Sequence, residues 1–163
     1  MIILSIGTNI GNRKANIENA ITALNAIGTV TAVSPIYSSE PWGFESGNGF
    51  YNIALTMESE LLPLDLLQET QRIEKELGRT AKTTTAYADR IIDIDIIDYN
   101  NQIINTQTLT LPHSLMHKRN FVLYPLTDIA PEWQHPTLKL TALKLKKAST
   151  DPSTVHILTT TTE

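Results

Sequence analysis

The sequence predicts an α+β fold whose elements follow the order β-α-β-β-α-β up to Tyr99. Short runs rich in β-branched and apolar residues end at glycine, proline or asparagine, which is typical of strands bounded by turns. Two longer segments repeat apolar residues every three or four positions, which indicates amphipathic helices. Their interleaved order is that of the ferredoxin-like arrangement, an antiparallel sheet with both helices on one face.

The first three elements follow from local patterns. Residues 2–6 form an apolar run that ends at a Gly-Thr-Asn turn, so a strand is predicted. Apolar residues then recur at helical spacing over positions 17–27, and Gly28 stands where a helix C-cap belongs. Residues 29–37 are predicted as the second strand. Pro35 favours an edge or a bulge there, because proline cannot donate a ladder hydrogen bond.

The next elements complete the predicted core. Residues 38–49 form a loop whose length favours a functional role. Residues 50–58 alternate between two faces, as a strand does, and residues 63–77 carry a helical apolar stripe. Residues 79–89 show no apolar periodicity and are predicted as a flexible loop. Residues 90–97 repeat isoleucine at every second position, which predicts the fourth strand.

The C-terminal part is predicted to add to this core. Residues 103–104 and 109–111 suggest a short hairpin, and residues 120–126 and 137–147 are predicted as helices. A Thr-rich tail begins at Ser149, and its last residues are expected to fray. Residues 1–163 together suit one domain.

Composition excludes several classes of protein. The apolar fraction of 41% argues against disorder, and the absence of cysteine excludes a disulfide framework and a thiolate metal site. A net charge of −4 argues against broad binding to nucleic acid. No segment predicts a signal peptide or a membrane span. We therefore expect a cytoplasmic monomer with no nucleic-acid or membrane partner.

Asp93 and Asp95 are the strongest candidate for a chemical site. Residues two apart on a strand share a face and are separated by about 7 Å. Two such carboxylates repel each other unless a cation lies between them, and Mg²⁺ prefers oxygen ligands. The alternative is a solvated outer face of an ordinary strand. We expect the first and fourth elements of the order β-α-β-β-α-β to lie side by side at the sheet centre, with the acidic pair near the turn at Gly7 and the open, helix-free face.

Other candidate side chains surround this pair in the sequence. Gln71 and Glu74 lie on one helical face, where they could bind a nucleotide or form surface salt bridges. Phe50 and Asn52 share a strand face and could hold a flat heterocycle, or Phe50 could simply cover the sheet. Trp42 could be a lid contact or a loop anchor. Basic residues bracket the acidic pair and favour a small anionic ligand, or a solvated helix flank: Arg72, Lys75, Arg79, Lys82, Arg90, Lys118 and Arg119.

Eight motifs in order give the chain a specific resemblance. They are Ser5-Ile6-Gly7-Thr8-Asn9-Ile10-Gly11-Asn12, Tyr37-x-x-Glu40-Pro41-Trp42-Gly43, Phe50-Tyr51-Asn52, Gln71-x-x-Glu74-x-x-x-Gly78-Arg79, Arg90-Ile91-Ile92-Asp93-Ile94-Asp95, Pro112-His113, Arg119-x-Phe121 and Pro125-Leu126. Over about residues 2–136 the chain resembles the 6-hydroxymethyl-7,8-dihydropterin pyrophosphokinase family of folate biosynthesis. The resemblance implies transfer of the terminal pyrophosphoryl group of ATP to the pterin hydroxymethyl oxygen, with release of AMP.

The resemblance also implies a role for each matched residue. It implies that Asp93 and Asp95 bind two Mg²⁺ ions, that ATP is the co-substrate, and that Arg79 and Arg90 join the aspartates in catalysis. The implied pterin side is Thr8, Ser39, Pro41, Trp42, Phe50, Asn52, Tyr87 and Phe121. The implied ATP side is Gln71, Glu74, Arg79, Lys82, Arg90, His113 and Arg119. Lys82 and Tyr87 would belong to a loop that closes over the nucleotide.

The chain departs from the family pattern in one segment, and two alternative functions remain open. Between Arg79 and Arg90 the only further cation is Lys82, where relatives often carry more arginine and a tryptophan. Asp95 is a candidate for the group that takes the hydroxyl proton. A metal-dependent nucleotidyl transferase or cyclase could use the same fold and would release pyrophosphate. A ligand-sensing module would bind without turnover and independently of Mg²⁺.

Overall fold

The computed structural model describes residues 1–39, 49–78 and 91–158. It confirms a mixed α+β fold built on an antiparallel sheet. The elements are β1 Ile2–Thr8, α1 Arg13–Asn25, β2 Thr29–Val33, β3 Tyr37–Ser39, β4 Phe50–Glu58, α2 Pro63–Glu76, β5 Asp93–Tyr99, β6 Ile104–Asn105, β7 Thr110–Leu111, a 3₁₀ turn Met116–Lys118, α3 Asn120–Ile129, α4 Ala142–Ala148 and β8 Val155–Ile157. No helix in these ranges is both long and apolar enough to span a membrane.

The main sheet has the order β5-β1-β4-β3-β8, and β2 pairs with β4 beside β3. All of these pairs are antiparallel. The first and fourth elements of the predicted order, β1 and β4, lie side by side inside the sheet as expected. The acidic strand β5 also pairs with β1. Since β4 occupies the other side of β1, β5 forms the edge of the sheet within the described residues.

The predicted second strand, residues 29–37, is divided into β2 and β3. Pro35 lies in the break and has no backbone N–H to donate. Ser34 fastens the chain there, because its N–H donates to the Ala54 carbonyl (2.9 Å) and its hydroxyl accepts from the Ala54 N–H (3.0 Å). The break redirects the chain so that β3 pairs with the end of β4 that begins at Phe50.

One face of the sheet packs against α1 and α2, as expected from their apolar stripes. The buried side chains of this layer come from β1, β4 and β5 and from both helices: Ile2, Leu4, Ile6, Ile17, Ala20, Leu24, Ile53, Leu55, Met57, Leu66, Ile73, Ile94 and Ile96. Each such side chain stabilises the fold by about 1.5–3 kcal/mol through burial alone. This layer holds β1, β4 and β5 rigidly in register.

The opposite face is covered at one end by α3 and α4, so the prediction of a helix-free face is wrong there. Ile3, Ala54 and Ile97 of the sheet form a second buried cluster with side chains of these helices. The cause is the apolar stripe of α3, which needs a surface on which to be buried. Gly7 and Asp93, at the other end of the same face, take no part in this cluster.

The C-terminal region departs from prediction at two places. The helix predicted from residue 137 begins at Ala142, because Thr141 caps it by accepting from the Lys144 N–H (3.2 Å). The Thr-rich tail was not expected to form a strand, yet Val155–Ile157 pairs with β3. Residues 159–163, to which the expectation of fraying chiefly applies, lie outside the described residues.

Candidate functional site

Asp93 and Asp95 lie opposite Gly7 and Ser5 of β1. Ile94, between them, packs in the α1/α2 layer, so both carboxylates project from the other face. Both side chains are half-buried. The described ranges contain no group of three or more Asp, Glu, His or Cys residues that could hold a metal. Two carboxylates still fit Mg²⁺, which is often held by one or two side chains while water and phosphate oxygens complete its shell.

Gly7 lies between the acidic pair and Asn52, since it is opposite Asp93 on one side and Asn52 on the other. A Cβ atom at this position would lie 2.9 Å from Asn52 Oδ1 and 3.6 Å from the Phe50 ring. The missing side chain therefore leaves space that the Asn52 amide occupies. A glycine inside a strand is a sequence signal for such a close approach.

Asn52 is fixed in a buried position on β4. Its side chain is 2% exposed, and its Nδ2 donates to Ser39 Oγ of β3 over 2.7 Å. Phe50 lies two residues earlier on the same strand face and is half-buried. The structure thus brings three residues of the predicted pterin side together, and one of them, Asn52, lies directly opposite Gly7 on the neighbouring strand.

Thr8, which also belongs to the predicted pterin side, lies on the opposite face of the sheet from Asn52. It is opposite Tyr51, whose side chain packs in the α1/α2 layer, so Thr8 points away from the Asn52 face. Asn16 Nδ2 donates to Thr8 Oγ1 (3.1 Å), to the Ile10 carbonyl (2.9 Å) and to the Ile91 carbonyl (3.2 Å). Asn16 therefore ties the end of β1 to the residues that enter β5. No spacing in the sequence pointed to it.

Glu74 is buried against the strand that carries the aspartates. Its side chain is 2% exposed, and its Oε2 accepts from the Ile94 N–H over 2.7 Å. The surface salt-bridge interpretation therefore does not apply to Glu74. It applies to Arg72, which forms exposed ion pairs with two glutamates of α2 (3.0 and 2.7 Å). Gln71 is exposed on the same helix.

His113, Arg119 and Phe121 approach from the C-terminal part of the chain. The His113 N–H donates to the Ile97 carbonyl (2.9 Å), and its Nδ1 accepts from the Leu115 N–H (3.2 Å). Because Nδ1 is an acceptor, the neutral ring carries its proton on Nε2, which can then donate to an anion. Arg119 is buried at the start of α3, with its guanidinium carbon 5.6 Å from the Phe121 ring centroid.

The other predicted site residues lie outside the described ranges. They are Pro41, Trp42, Arg79, Lys82, Tyr87 and Arg90. Arg13, which sequence reasoning missed, contacts the residue that follows the first of these gaps. Its Nη1 donates to the Gly49 carbonyl (3.0 Å), and its guanidinium lies 3.9 Å from the Tyr51 ring centroid.

A family model described as 7,8-dihydro-6-hydroxymethylpterin-pyrophosphokinase matches residues 3–131. The chain belongs to this family. The resemblance inferred from the eight motifs is confirmed, and so is the expected enzyme class.

Individual relatives agree with this placement. The chain is 43% identical over 139 residues to a 2-amino-4-hydroxy-6-hydroxymethyldihydropteridine pyrophosphokinase of Porphyromonas gingivalis, covering 83% of this chain and 94% of the relative. A relative of the same name from Aquifex aeolicus is 36% identical over 149 residues, covering 91% of this chain and 92% of the relative. A folic acid synthesis protein of Dictyostelium discoideum is 38% identical over 156 residues, or 96% of this chain, and the chain spans 23% of that protein.

Solved structures show the same fold. The crystal structure of Plasmodium falciparum HPPK-DHPS with pteroate matches 90% of this chain and 43% of that chain, with a TM-score of 0.72 and 16% sequence identity. The pyrophosphokinase fold therefore also occurs as part of longer chains.

Proposed function

We propose that this chain transfers the pyrophosphoryl group of ATP to the hydroxymethyl oxygen of 6-hydroxymethyl-7,8-dihydropterin and releases AMP, in folate biosynthesis. One observation supports the proposal more than any other. The acidic pair of β5 and the Asn52–Ser39 pair lie on one sheet face, separated by the side-chain-free Gly7. Family membership adds the substrate class.

Asp93 and Asp95 would hold two Mg²⁺ ions. When bound, magnesium neutralises phosphate charge and orients the triphosphate for in-line transfer. The aspartates alone would repel ATP, so nearby cationic and hydrogen-bonding groups must reverse the local field. We assign this task to Arg79, Lys82, Arg90, Arg119 and the Nε2 proton of His113, with Gln71 and Glu74 on the ATP side.

Asn52 and Ser39 would hold the pterin ring by hydrogen bonds, while Phe50 and Phe121 would contact its faces. A buried amide that is already oriented binds a heterocycle edge without first losing rotational freedom. Pro41, Trp42 and Tyr87 complete the proposed pterin side, together with the backbone of Thr8. Closure of the segment that carries Lys82 and Tyr87 would exclude water, which competes with the pterin hydroxyl as acceptor.

The proposed reaction forms one phosphorus–oxygen bond, breaks another and transfers one proton. The hydroxymethyl oxygen attacks the β-phosphorus of ATP, the bond between that phosphorus and the α,β-bridging oxygen breaks, and AMP leaves. The hydroxyl proton passes to a base, for which Asp95 is our candidate. We further propose that the core is a ferredoxin-like βαββαβ unit, with β2 and β3 forming its second strand and β6 and β7 an added hairpin. In this proposal the chain acts as a monomer.

The decisive experiment is incubation of the protein with ATP, Mg²⁺ and the hydroxymethyl dihydropterin, followed by separation of nucleotides. We expect AMP and the pterin pyrophosphate in equal amounts. A pterin with a methyl group in place of the hydroxymethyl group is the matched control and should yield no AMP. Release of pyrophosphate would instead support a nucleotidyl transferase, and binding without turnover would support a ligand-sensing module.

A further inference from the structure

Helix α3 begins with a capping group that comes from the tail. Its N-cap residue, Arg119, makes no side-chain capping bond within the part of the chain that the structure describes. Instead, the Asn120 N–H donates to Asp151 Oδ2 over 2.8 Å. A carboxylate in this position satisfies one of the unpaired amides of the first turn and interacts favourably with the helix dipole.

The Asn120 side chain is held by the same segment. Its Nδ2 donates to the carbonyls of Asp151 (3.1 Å) and Ser153 (3.0 Å), and its Oδ1 accepts from Ser149 Oγ (2.7 Å). Asp151 is itself fixed, since its Oδ1 accepts from the Ser153 N–H (2.9 Å) and hydroxyl (2.7 Å). Four hydrogen bonds therefore join one helical residue to a five-residue stretch of tail.

The tail then continues as the outer strand of the sheet. In β8, Val155 is opposite Ser39 and Ile157 is opposite Tyr37 of β3. On its other side β3 pairs with β4, with Tyr37 opposite Asn52. A three-residue strand with only one partner would be a weak edge, and β8 gives β3 a second partner.

The two attachments of the tail, to Asn120 and to β3, both adjoin residues of the proposed pterin side. Asn120 lies between Arg119 and Phe121, and Ser39 of β3 accepts from the buried Asn52 amide. The family match ends at residue 131, before the tail begins. We propose that residues 149–158 are a positioning segment for the pterin, with Asp151 as its main positioning residue. This inference rests on the proposed function.

The test compares steady-state kinetics of the wild type and Asp151→Ala in the full chain. We expect the KM for the pterin to rise about three- to ten-fold, which corresponds to the loss of about one helix cap. The kcat should stay within about two-fold, because β5 makes none of these tail bonds. The KM for ATP should rise less than the KM for the pterin, because Arg119 is the one ATP-side residue that adjoins Asn120. Glu132→Ala, which removes an equal charge from an exposed site, should leave all three constants unchanged.

Two further variants keep the result interpretable. Asp151→Asn retains one acceptor oxygen and should recover part of the pterin KM. If Asp151→Ala does not fold, Ser149→Ala keeps the Asp151 carboxylate and removes the bond to Asn120 Oδ1 (2.7 Å) and the acceptor of the Asp151 N–H (3.2 Å), and it should raise the pterin KM about two-fold. A lower melting temperature with an unchanged pterin KM would overturn the inference alone. A wild type that yields no AMP would overturn the proposed function, and this inference with it.

Discussion

Gly7→Ala should weaken pterin binding through one contact. The added methyl would lie 2.9 Å from Asn52 Oδ1 and 3.6 Å from the Phe50 ring. The second distance is ordinary, whereas the first is about half an ångström too short. Gly7 does not have a positive φ angle, so alanine brings no backbone strain of that kind. The whole effect should therefore pass through the Asn52 amide.

The size of this effect follows from the surroundings of the amide. Asn52 is buried and bonded to Ser39 over 2.7 Å, so it can move only by weakening that bond. Overpacking at such sites costs about 1–3 kcal/mol. If the Asn52 amide moves away from the added methyl group, the strain is relieved but the pterin affinity falls. Strain that is not relieved in this way lowers the stability of the folded protein. If the whole cost appears in binding, the Kd rises about 5- to 150-fold.

Pterin Kd, melting temperature and the KM for ATP should be measured for Gly7→Ala, Asn52→Ala and the double variant. Asn52→Ala alone should cost about 1–3 kcal/mol of pterin binding, the cost of leaving a buried polar partner unpaired. In that background the methyl at position 7 meets no amide, so its further cost should be near zero, which would give a large coupling energy. Wild-type affinity and stability in Gly7→Ala, or an equal penalty in both backgrounds, would refute the reasoning.

Three further predictions concern Asp95, Glu74 and two histidines. Asp95→Ala should lower kcat about 10²-fold or more through loss of a key electrostatic group, and activity within a few-fold of wild type would reject the metal role. Glu74→Ala should lower the free energy of unfolding in urea by about 1–3 kcal/mol, because the Ile94 N–H loses its buried acceptor. Glu74→Gln keeps an acceptor and should recover most of that loss, so equal stability of the two variants would contradict this role. Burial lowers the pKa of His117 and of His135, so the unfolded chain binds more protons and stability should fall as the pH drops below about 6.5. Melting temperatures at pH 7.5 and 5.5 test this, and His135→Gln should reduce the difference.

The sequence predicted those features that are encoded by local periodicity. Alternating isoleucines placed Asp93 and Asp95 on one strand face, and the alternation of β4 separated Asn52 from the α1/α2 layer. The order and spacing of the motifs predicted the family, and the family implies the substrate class. These inferences need only the period of a strand and a set of matching residues, and both are present in the linear chain.

The remaining features depend on contacts between distant segments. Asn16 reaches Ile91 across 75 positions, and Asp151 reaches Asn120 across 31. Neither residue type is unusual at its position, so nothing local distinguishes it from a solvated polar side chain. The position of β5 at the sheet edge depends on contacts of the same kind, since strand order is decided by how β4 pairs with β1 and not by either strand alone.

A β-bulge in β5 allows this strand to carry the acidic pair and also to contribute side chains to both buried clusters. Asp93 and Asp95 alternate with Ile94 and Ile96, and strict alternation would place Tyr99 on the same face as the aspartates. The register with β1 shifts between Ile3 and Leu4, which inserts one residue into β5. Tyr99 therefore packs in the α1/α2 layer, while Ile97 packs under α3. Because a one-residue shift exchanges the faces of a strand, the bulge lets one short strand present carboxylates at one end and close both cores at the other.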